Sequence, residues 1–230
     1  MNKTYFAIQQ AERAADLYIF GDIVTEKWFP EESSAYSIQQ QIKGLDVDEI
    51  RVHIDSYGGA VSEGWAIYNT LREHPAKITT YGDGFVASAA LYPFLAGDER
   101  IASSLSAYYM HQVMSSAAGY AKDLRAAADD ADFLTEQGIK AFVERAGMDE
   151  NTVRELMEAE TWLSPEQALE YGIATAMVSD KGAPIAQAAK RSIMQRILSH
   201  PAKTQKLPAA KQELEKHNNP IFHLFEGGEA

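Results

Sequence analysis

Lys77-Ile78-Thr79-Thr80-Tyr81-Gly82-Asp83-Gly84-Phe85-Val86-Ala87-Ser88-Ala89-Ala90 decides how this chain is read. Its first five residues predict a short strand, and Gly82-Asp83-Gly84 predicts a turn. The small residues from Ala87 onward predict the start of an apolar helix with Ser88 at its N-terminus. A hydroxyl held there, crowded only by small neighbours, suits a nucleophile. First-turn amides can face an oxyanion, and the small side chains admit a substrate backbone. Close packing is the plainer alternative, since small-residue runs serve that purpose too. Three features elsewhere bear on the choice: a Gly-Gly turn upstream, a histidine downstream and a carboxylate beyond it.

Outward from this stretch, strands and helices alternate. Residues 16–21 read as a strand closed by a glycine, residues 34–44 as a helix, and residues 49–55 as a strand with Ile50, Val52 and Ile54 on one face. Trp65, Ile67, Tyr68 and Leu71 have helical spacing within residues 62–74. After the Ser88 helix come strands at 100–102 and 107–111. Residues 120–145 form one long helix of about 39 Å, too long for a small core, and its apolar face at Leu124, Ala128, Leu134 and Phe142 reads in part as an oligomer contact. Gly147 ends it, and a short helix covers residues 150–159. Ser164-Pro165-Glu166-Gln167 is a capping box for a further helix stopped by Gly172, and residues 173–178 are a last strand. Such alternation implies right-handed crossovers and a largely parallel sheet, with active groups beyond the strand C-terminal ends. Residues 55–59, 82–88 and His111 all fall at those ends.

The 230 residues suffice for one domain and a tail. Residues 1–180 read as the domain and 181–230 as a basic tail. Lys181 to Pro184 is expected to be a linker, and residues 185–198 a basic amphipathic helix. The net charge of −12 is uneven: the tail carries +4 and the body −16. An acidic body argues against nucleic acid as a main partner. There is no cysteine, which excludes disulfides, thiolate metal sites and a Cys nucleophile and fits a cytoplasmic protein. Neither a signal peptide nor a membrane span is expected.

Asp55-Ser56-Tyr57-Gly58-Gly59-Ala60-Val61 lies between a strand and a helix. Two glycines permit a sharp turn and leave an amide uncovered, so the N–H groups of Gly59 and Ala89 are candidate oxyanion donors. A tight strand-to-helix turn is the alternative. Among six histidines, His111 alone closes a strand on the presumed active side, where it is the candidate base for Ser88. His53 is read as structural. A base needs a carboxylate to orient it. Glu160 is the candidate and Glu158 the runner-up; both also fit solvated helix-end acids.

Residues 54–61, the Gly84–Ala90 run with Ser88, Tyr109-Met110-His111-Gln112 and Glu160-Thr161-Trp162-Leu163-Ser164-Pro165-Glu166-Gln167-Ala168 together resemble the Clp protease proteolytic subunit family, in the same order. The Glu-Thr-Trp-Leu wording is most similar to its phage branch, the head-maturation proteases that trim capsid and scaffold proteins. The resemblance implies an α/β fold of the ClpP/crotonase-like kind, with repeated βαβ units, a mostly parallel sheet and a long protruding helix. It also implies a serine endopeptidase with a Ser88–His111–Glu160 triad, oxyanion donors at Gly59 and Ala89, polypeptide substrates, a homo-oligomeric ring, and no cofactor or metal. Glu160 stands where housekeeping members carry Asp. The N-terminal segment does not resemble axial loops that engage an unfoldase, so an ATPase partner stays open. Pro93, one turn into the Ser88 helix, predicts a kink there.

Other readings of the same residues are a crotonase-type acyl-CoA enzyme, a Ser–Lys peptidase, and a ring-forming scaffold with a decayed site. The first lacks an obvious basic cluster for the coenzyme phosphates, and the second leaves His111 without a task.

Overall fold

The structure, a computed structural model, describes residues 9–11, 13–25, 33–178 and 184–185. Alternating apolar residues make β2 (Ala14–Phe20) and β3 (Glu49–Ser56) neighbouring parallel strands that bury every second side chain. α1 (Ala35–Ile42), opened by a Ser34–Ser37 capping box, links them. α2 (Val61–Glu73) then leads from β3 to the parallel strand β4 (Lys77–Ala87), burying Ile67 and Leu71. β5 (Glu99–Ala102) and β8 (Ala176–Val178) continue the parallel sheet. Two short antiparallel strands, β1 (Gln9–Ala11) on β2 and β9 (Pro184–Ile185) on β8, close its edges.

β4 corrects the sequence reading. Gly82-Asp83-Gly84 is no turn; it lies inside one eleven-residue strand. Ile54 pairs with Gly82 and Ser56 with Val86, so β4 holds three residues between these pairs where β3 holds one. The result is a bulge, which redirects a strand without ending it. The N–H of Phe85 donates to Asp55 Oδ1 (2.9 Å) and secures it. Glycine is needed at both ends by contact: a Cβ would lie 2.5 Å from the Tyr108 hydroxyl at position 82 and 2.4 Å from Asp55 Oδ1 at position 84. Below the bulge β4 pairs with β5. Above it, Phe85–Ala87 pair with β6 (Ala107–Met110), which carries the antiparallel strand β7 (Thr161–Leu163). The sheet therefore forks, and the fork brings Ser88 and His111 to the ends of adjacent strands.

Ser88 does not open a regular helix. Ser88–Ala90 form a single tight 3₁₀ turn and α3 (Leu91–Leu95) adds only five residues. Pro93 has no N–H to give the Ala89 carbonyl, and the Leu91 N–H bonds back to Ser88 and Ala89 instead. The predicted kink is thus a change of helix type. α4 (Ala121–Ala146) matches the long helix, but its buried residues all lie from Thr135 onward, with Leu124 and Phe133 exposed. α5 (Glu150–Glu158) and α6 (Pro165–Glu170) follow, the latter under the anticipated Ser164–Gln167 capping box. Pro184 and Ile185, expected as linker end and helix start, instead pair with Val178 and Met177. The exposed edge of β8 offers unpaired backbone groups that an adjoining segment can satisfy. The remainder of the predicted tail helix lies outside the described residues.

One buried cation ties these parts together. Arg100, 5% exposed, donates to the carbonyls of Gly97, Arg145, Gly172 and Ile173 at 2.7–3.0 Å. Three of those carbonyls stand at or just past the ends of α3, α4 and α6, where the last C=O groups have no partner within their helix. Burial lowers the guanidinium pKa to about 10, so it stays charged at neutral pH. Replacing Arg100 with Met removes this donor from the carbonyls of Arg145, Gly172 and Ile173, while Gly97 O keeps its bond from Arg145 (2.8 Å). We expect Arg100→Met to lower the unfolding free energy by about 3–5 kcal/mol, read from urea denaturation, with Arg100→Lys intermediate.

Candidate active site

Ser88 follows the last residue of β4, at the top of the forked sheet. Its φ of 55° lies in the left-handed region. A side-chain-bearing residue holds that conformation only where its surroundings enforce it, at a cost on the order of 1–3 kcal/mol. Here it turns the hydroxyl into the open rather than along the sheet. His111 follows the last residue of β6, one strand over. Its Nε2 lies 2.6 Å from Ser88 Oγ. For Nε2 to accept a hydrogen bond from the serine hydroxyl, the neutral ring carries its proton on Nδ1, the atom that a carboxylate would orient.

Gly58 and Gly59 sit directly against this turn. Their φ angles are 95° and 141°. A Cβ on Gly58 would lie 2.6 Å from Ala87 O and 2.8 Å from both Ala89 N and Ser88 Cβ. A Cβ on Gly59 would lie 2.1 Å from Ile23 O. Ile23 holds the loop from its other side: its N–H donates to Gly58 O, and its carbonyl accepts from Ala60 N–H, both at 2.8 Å. Gly58 N–H is occupied by Ser56 Oγ (3.0 Å). The Gly59 N–H, between these engaged groups, makes no hydrogen bond among the described residues. The two amides singled out in the sequence, Gly59 and Ala89, are therefore on backbone segments in contact beside the Ser88 hydroxyl.

The carboxylates are placed differently. Glu158 and Glu160 are both exposed, and neither hydrogen-bonds His111. Glu160 shares one property with Ser88: at φ 49° it is the only other non-glycine residue with positive φ among the described residues. Its carboxylate faces the Tyr109 hydroxyl, whose pKa is raised first by partial burial and then by this negative neighbour. The Tyr109 ring stacks on the His111 imidazole with centroids 5.3 Å apart. Tyr109 thus separates the candidate acid from the candidate base. Sequence reading missed this residue, although its place two before His111 on one strand put both on the same face.

Ser88 and His111 open into a cleft of about 710 Å³. Leu91, Tyr92, Phe142 and Met157 give it an apolar floor, and burial pushes the Tyr92 hydroxyl up to about 12. Gly59–Val61 and Gln112–Met114 also line it. Val113 N–H donates to Thr135 Oγ1 (2.9 Å), anchoring the latter segment to α4 where that helix becomes buried. His53, read as structural, lies stacked between Tyr18 and Tyr81 with Nδ1 2.7 Å from Asp83. It takes no part in the cleft.

A family model described as Clp protease matches residues 22–181. The ATP-dependent Clp protease proteolytic subunit 1 of Prochlorococcus marinus (strain MIT 9312) is 30% identical over 186 residues, covering 74% of this chain and 92% of that protein. Proteolytic subunit 2 of Treponema denticola is 31% identical over 134 residues, covering 57% of this chain and 67% of that protein. Among solved structures, a point mutant of ClpP1 from Listeria monocytogenes superposes with a TM-score of 0.61 at 23% identity, over 72% of this chain and 92% of that one. That likeness bears on the fold, the mixed α/β architecture with a mostly parallel sheet. A match running from the Ile23 segment through β8, with a relative aligned over almost its whole length, decides the assignment: this chain belongs to the Clp protease family and is a serine-type endopeptidase.

Proposed function

We propose that Ser88 is the nucleophile of this peptidase and His111 its base. The observation that carries the reading is the 2.6 Å contact between Ser88 Oγ and His111 Nε2 at the head of an apolar cleft. Ser88 attacks the scissile carbonyl while His111 takes its proton, and His111 later returns that proton to the leaving amine. The Gly59 and Ala89 amides receive the oxyanion, and Glu160 supplies the orienting carboxylate. Rotation of the Glu160 side chain away from the Tyr109 hydroxyl is the step that brings it to Nδ1. The left-handed backbone shared by Ser88 and Glu160 supports Glu160 over Glu158, because strain of this kind gathers at working sites. No metal or nucleotide enters this chemistry.

In this reading residues 1–180 are the catalytic domain and 181–230 an appended basic tail. The protein acts as a homo-oligomeric ring in the cytoplasm, and its substrates are capsid or scaffold polypeptides of phage head maturation, on the strength of the Glu160-Thr161-Trp162-Leu163 resemblance. A second reading, a housekeeping Clp subunit fed by an unfoldase, is favoured by the names of the curated relatives. Incubation with unfolded casein and with a capsid or scaffold precursor, with and without an ATP-driven unfoldase, separates the two. Processing of the precursor without ATP supports head maturation, and strict dependence on the unfoldase supports the housekeeping role.

A fluorophosphonate probe tests the centre itself. It is expected to label wild-type protein at Ser88, with labelling abolished in Ser88→Ala and reduced at least 100-fold in His111→Ala. Labelling that survives Ser88→Ala overturns the assignment. Glu160→Gln is expected to lower kcat/KM on a fluorogenic peptide by about 10²–10⁴-fold. Glu158→Gln is expected to change it less than threefold, and equal losses would remove the case for Glu160. Gly58→Ala drives a methyl group into the Ser88 turn. Since misplacing reacting atoms by about 1 Å costs roughly 10²-fold, we expect a fall of that size in turnover. Retained activity would show that the turn adapts.

A further inference from the structure

Four aromatic rings cross the forked sheet beside the catalytic pair. Tyr109 stacks on Trp162 at 4.6 Å, Trp162 meets Phe85 edge-on at 5.6 Å, and Phe85 packs on Tyr57 at 4.8 Å. Strand register puts three of them on one face. Ala87 pairs with Tyr109 and Tyr109 with Trp162, while Phe85 sits two residues before Ala87. The stripe is not core. Trp162 is 48% exposed, Phe85 38% and Tyr57 65%. Scattered single aromatics on a surface need no explanation, but a contiguous set marks a place where something binds. This set is continuous with the cleft, since Tyr57, Tyr109 and Trp162 line it together with Ser88 and His111.

We propose that Trp162, Phe85 and Tyr57 form a specificity subsite for the leaving half of the substrate, taking a bulky aromatic or aliphatic side chain at one of the first two positions after the scissile bond. The inference rests on the Ser88–His111 reading and extends it. His111 must protonate the leaving amine, so the departing segment begins at Nε2 and runs past the imidazole. The ring packed against that imidazole is Tyr109, and the ring packed against Tyr109 is Trp162. The same cleft also carries Leu91, Tyr92, Phe142 and Met157, an apolar lining available to the acyl half. A peptide crossing the nucleophile thus has both an apolar lining and an aromatic shelf within the cleft. Flat, exposed rings suit a side chain with a large apolar face, because stacking adds to the area removed from water.

The test uses the full chain and internally quenched peptides that share one acyl half and carry Phe, Leu or Gly at each of the two positions after the cleavage site. Wild type is expected to favour Phe over Gly by at least tenfold in kcat/KM at one of these positions. Trp162→Ala is expected to reduce that ratio to under threefold, and Trp162→Phe to keep most of it. The ratio is internal to each protein, so a partial loss of folded enzyme cancels. A wild-type ratio near one, or an unchanged ratio in Trp162→Ala and Phe85→Ala, overturns the subsite while leaving the catalytic pair intact. If Trp162→Ala instead dissociates an assembly and slows all peptides alike, the stripe is a contact between copies of the chain and the subsite is overturned. Wild type that neither cleaves peptide nor reacts with a fluorophosphonate fails the Ser88–His111 reading, and the subsite falls with it.

Discussion

Backbone packed directly on backbone at Gly58 and Gly59 is the contact on which the site depends. One glycine leaves no room for a methyl group against the Ser88 turn, and the next leaves none against Ile23. The loop is consequently clamped between two segments far apart in sequence, through the paired hydrogen bonds of Ile23 with Gly58 and Ala60. This closeness explains the small residues around the nucleophile. Ala87 and Ala89 are buried and meet Gly58 through their backbone atoms, while the Ala89 methyl group packs on Gly64 of α2, so a larger side chain at 89 would part this turn from that helix. The plain reading of the small-residue run as close packing and the functional reading describe one arrangement. Packing sets the distance, and the exposed amides use it.

The bulge in β4 does comparable work at the level of the sheet. A strand that stayed in register would run beside β5 along its whole length and end in the middle of the sheet. The extra residues at Gly82–Gly84 turn its last segment toward β6, and Ser88 thereby meets His111 from the neighbouring strand. Asp55 is the keystone of that turn, accepting the Phe85 N–H with a carboxylate that fills the space left by Gly84. Arg100 performs the matching task below, gathering helix ends that no side chain of their own helices could satisfy.

What was legible in the sequence follows the range of the interactions involved. Alternation at Ile50, Val52 and Ile54, the capping box at Ser164, and the left-handed stop at Gly147 are local signals, and the corresponding elements stand where they were expected. His111 was legible because it closes a strand, and Ser88 as a hydroxyl among small residues beyond another; such ends of a parallel sheet converge by topology alone. Gly82-Asp83-Gly84 misled because its composition favours a turn, whereas its conformation is set by Asp55 and Tyr108 from other strands. Strands β1 and β9 carried no pattern, since two or three residues completing a sheet edge need only backbone groups. Glu160 was found by motif, yet its distance from His111 depends on the Tyr109 ring between them, which only strand register discloses. The aromatic stripe was invisible for the same reason: its four members come from positions 57, 85, 109 and 162 and touch only across the fork.

The first half of α4 lies outside the core of the described residues. A helix in isolation below roughly 12–15 residues is marginal in water, and most helical stability in proteins comes from packing an apolar face. In α4 the buried side chains occupy only its C-terminal part, where Gly138, Ile139 and Phe142 pack inward. Among the described residues, Leu124 and Phe133 in its first fourteen residues are exposed, while Ala127, Ala131 and Leu134 are half-buried. Leu124, Ala127, Ala131 and Leu134 keep the spacing of one helix face, and the cover over that face fades toward the N-terminus. Thr135, at the boundary, also holds the segment that follows His111 through Val113. That hydrogen bond ties the segment that follows His111 to the point where α4 joins the core.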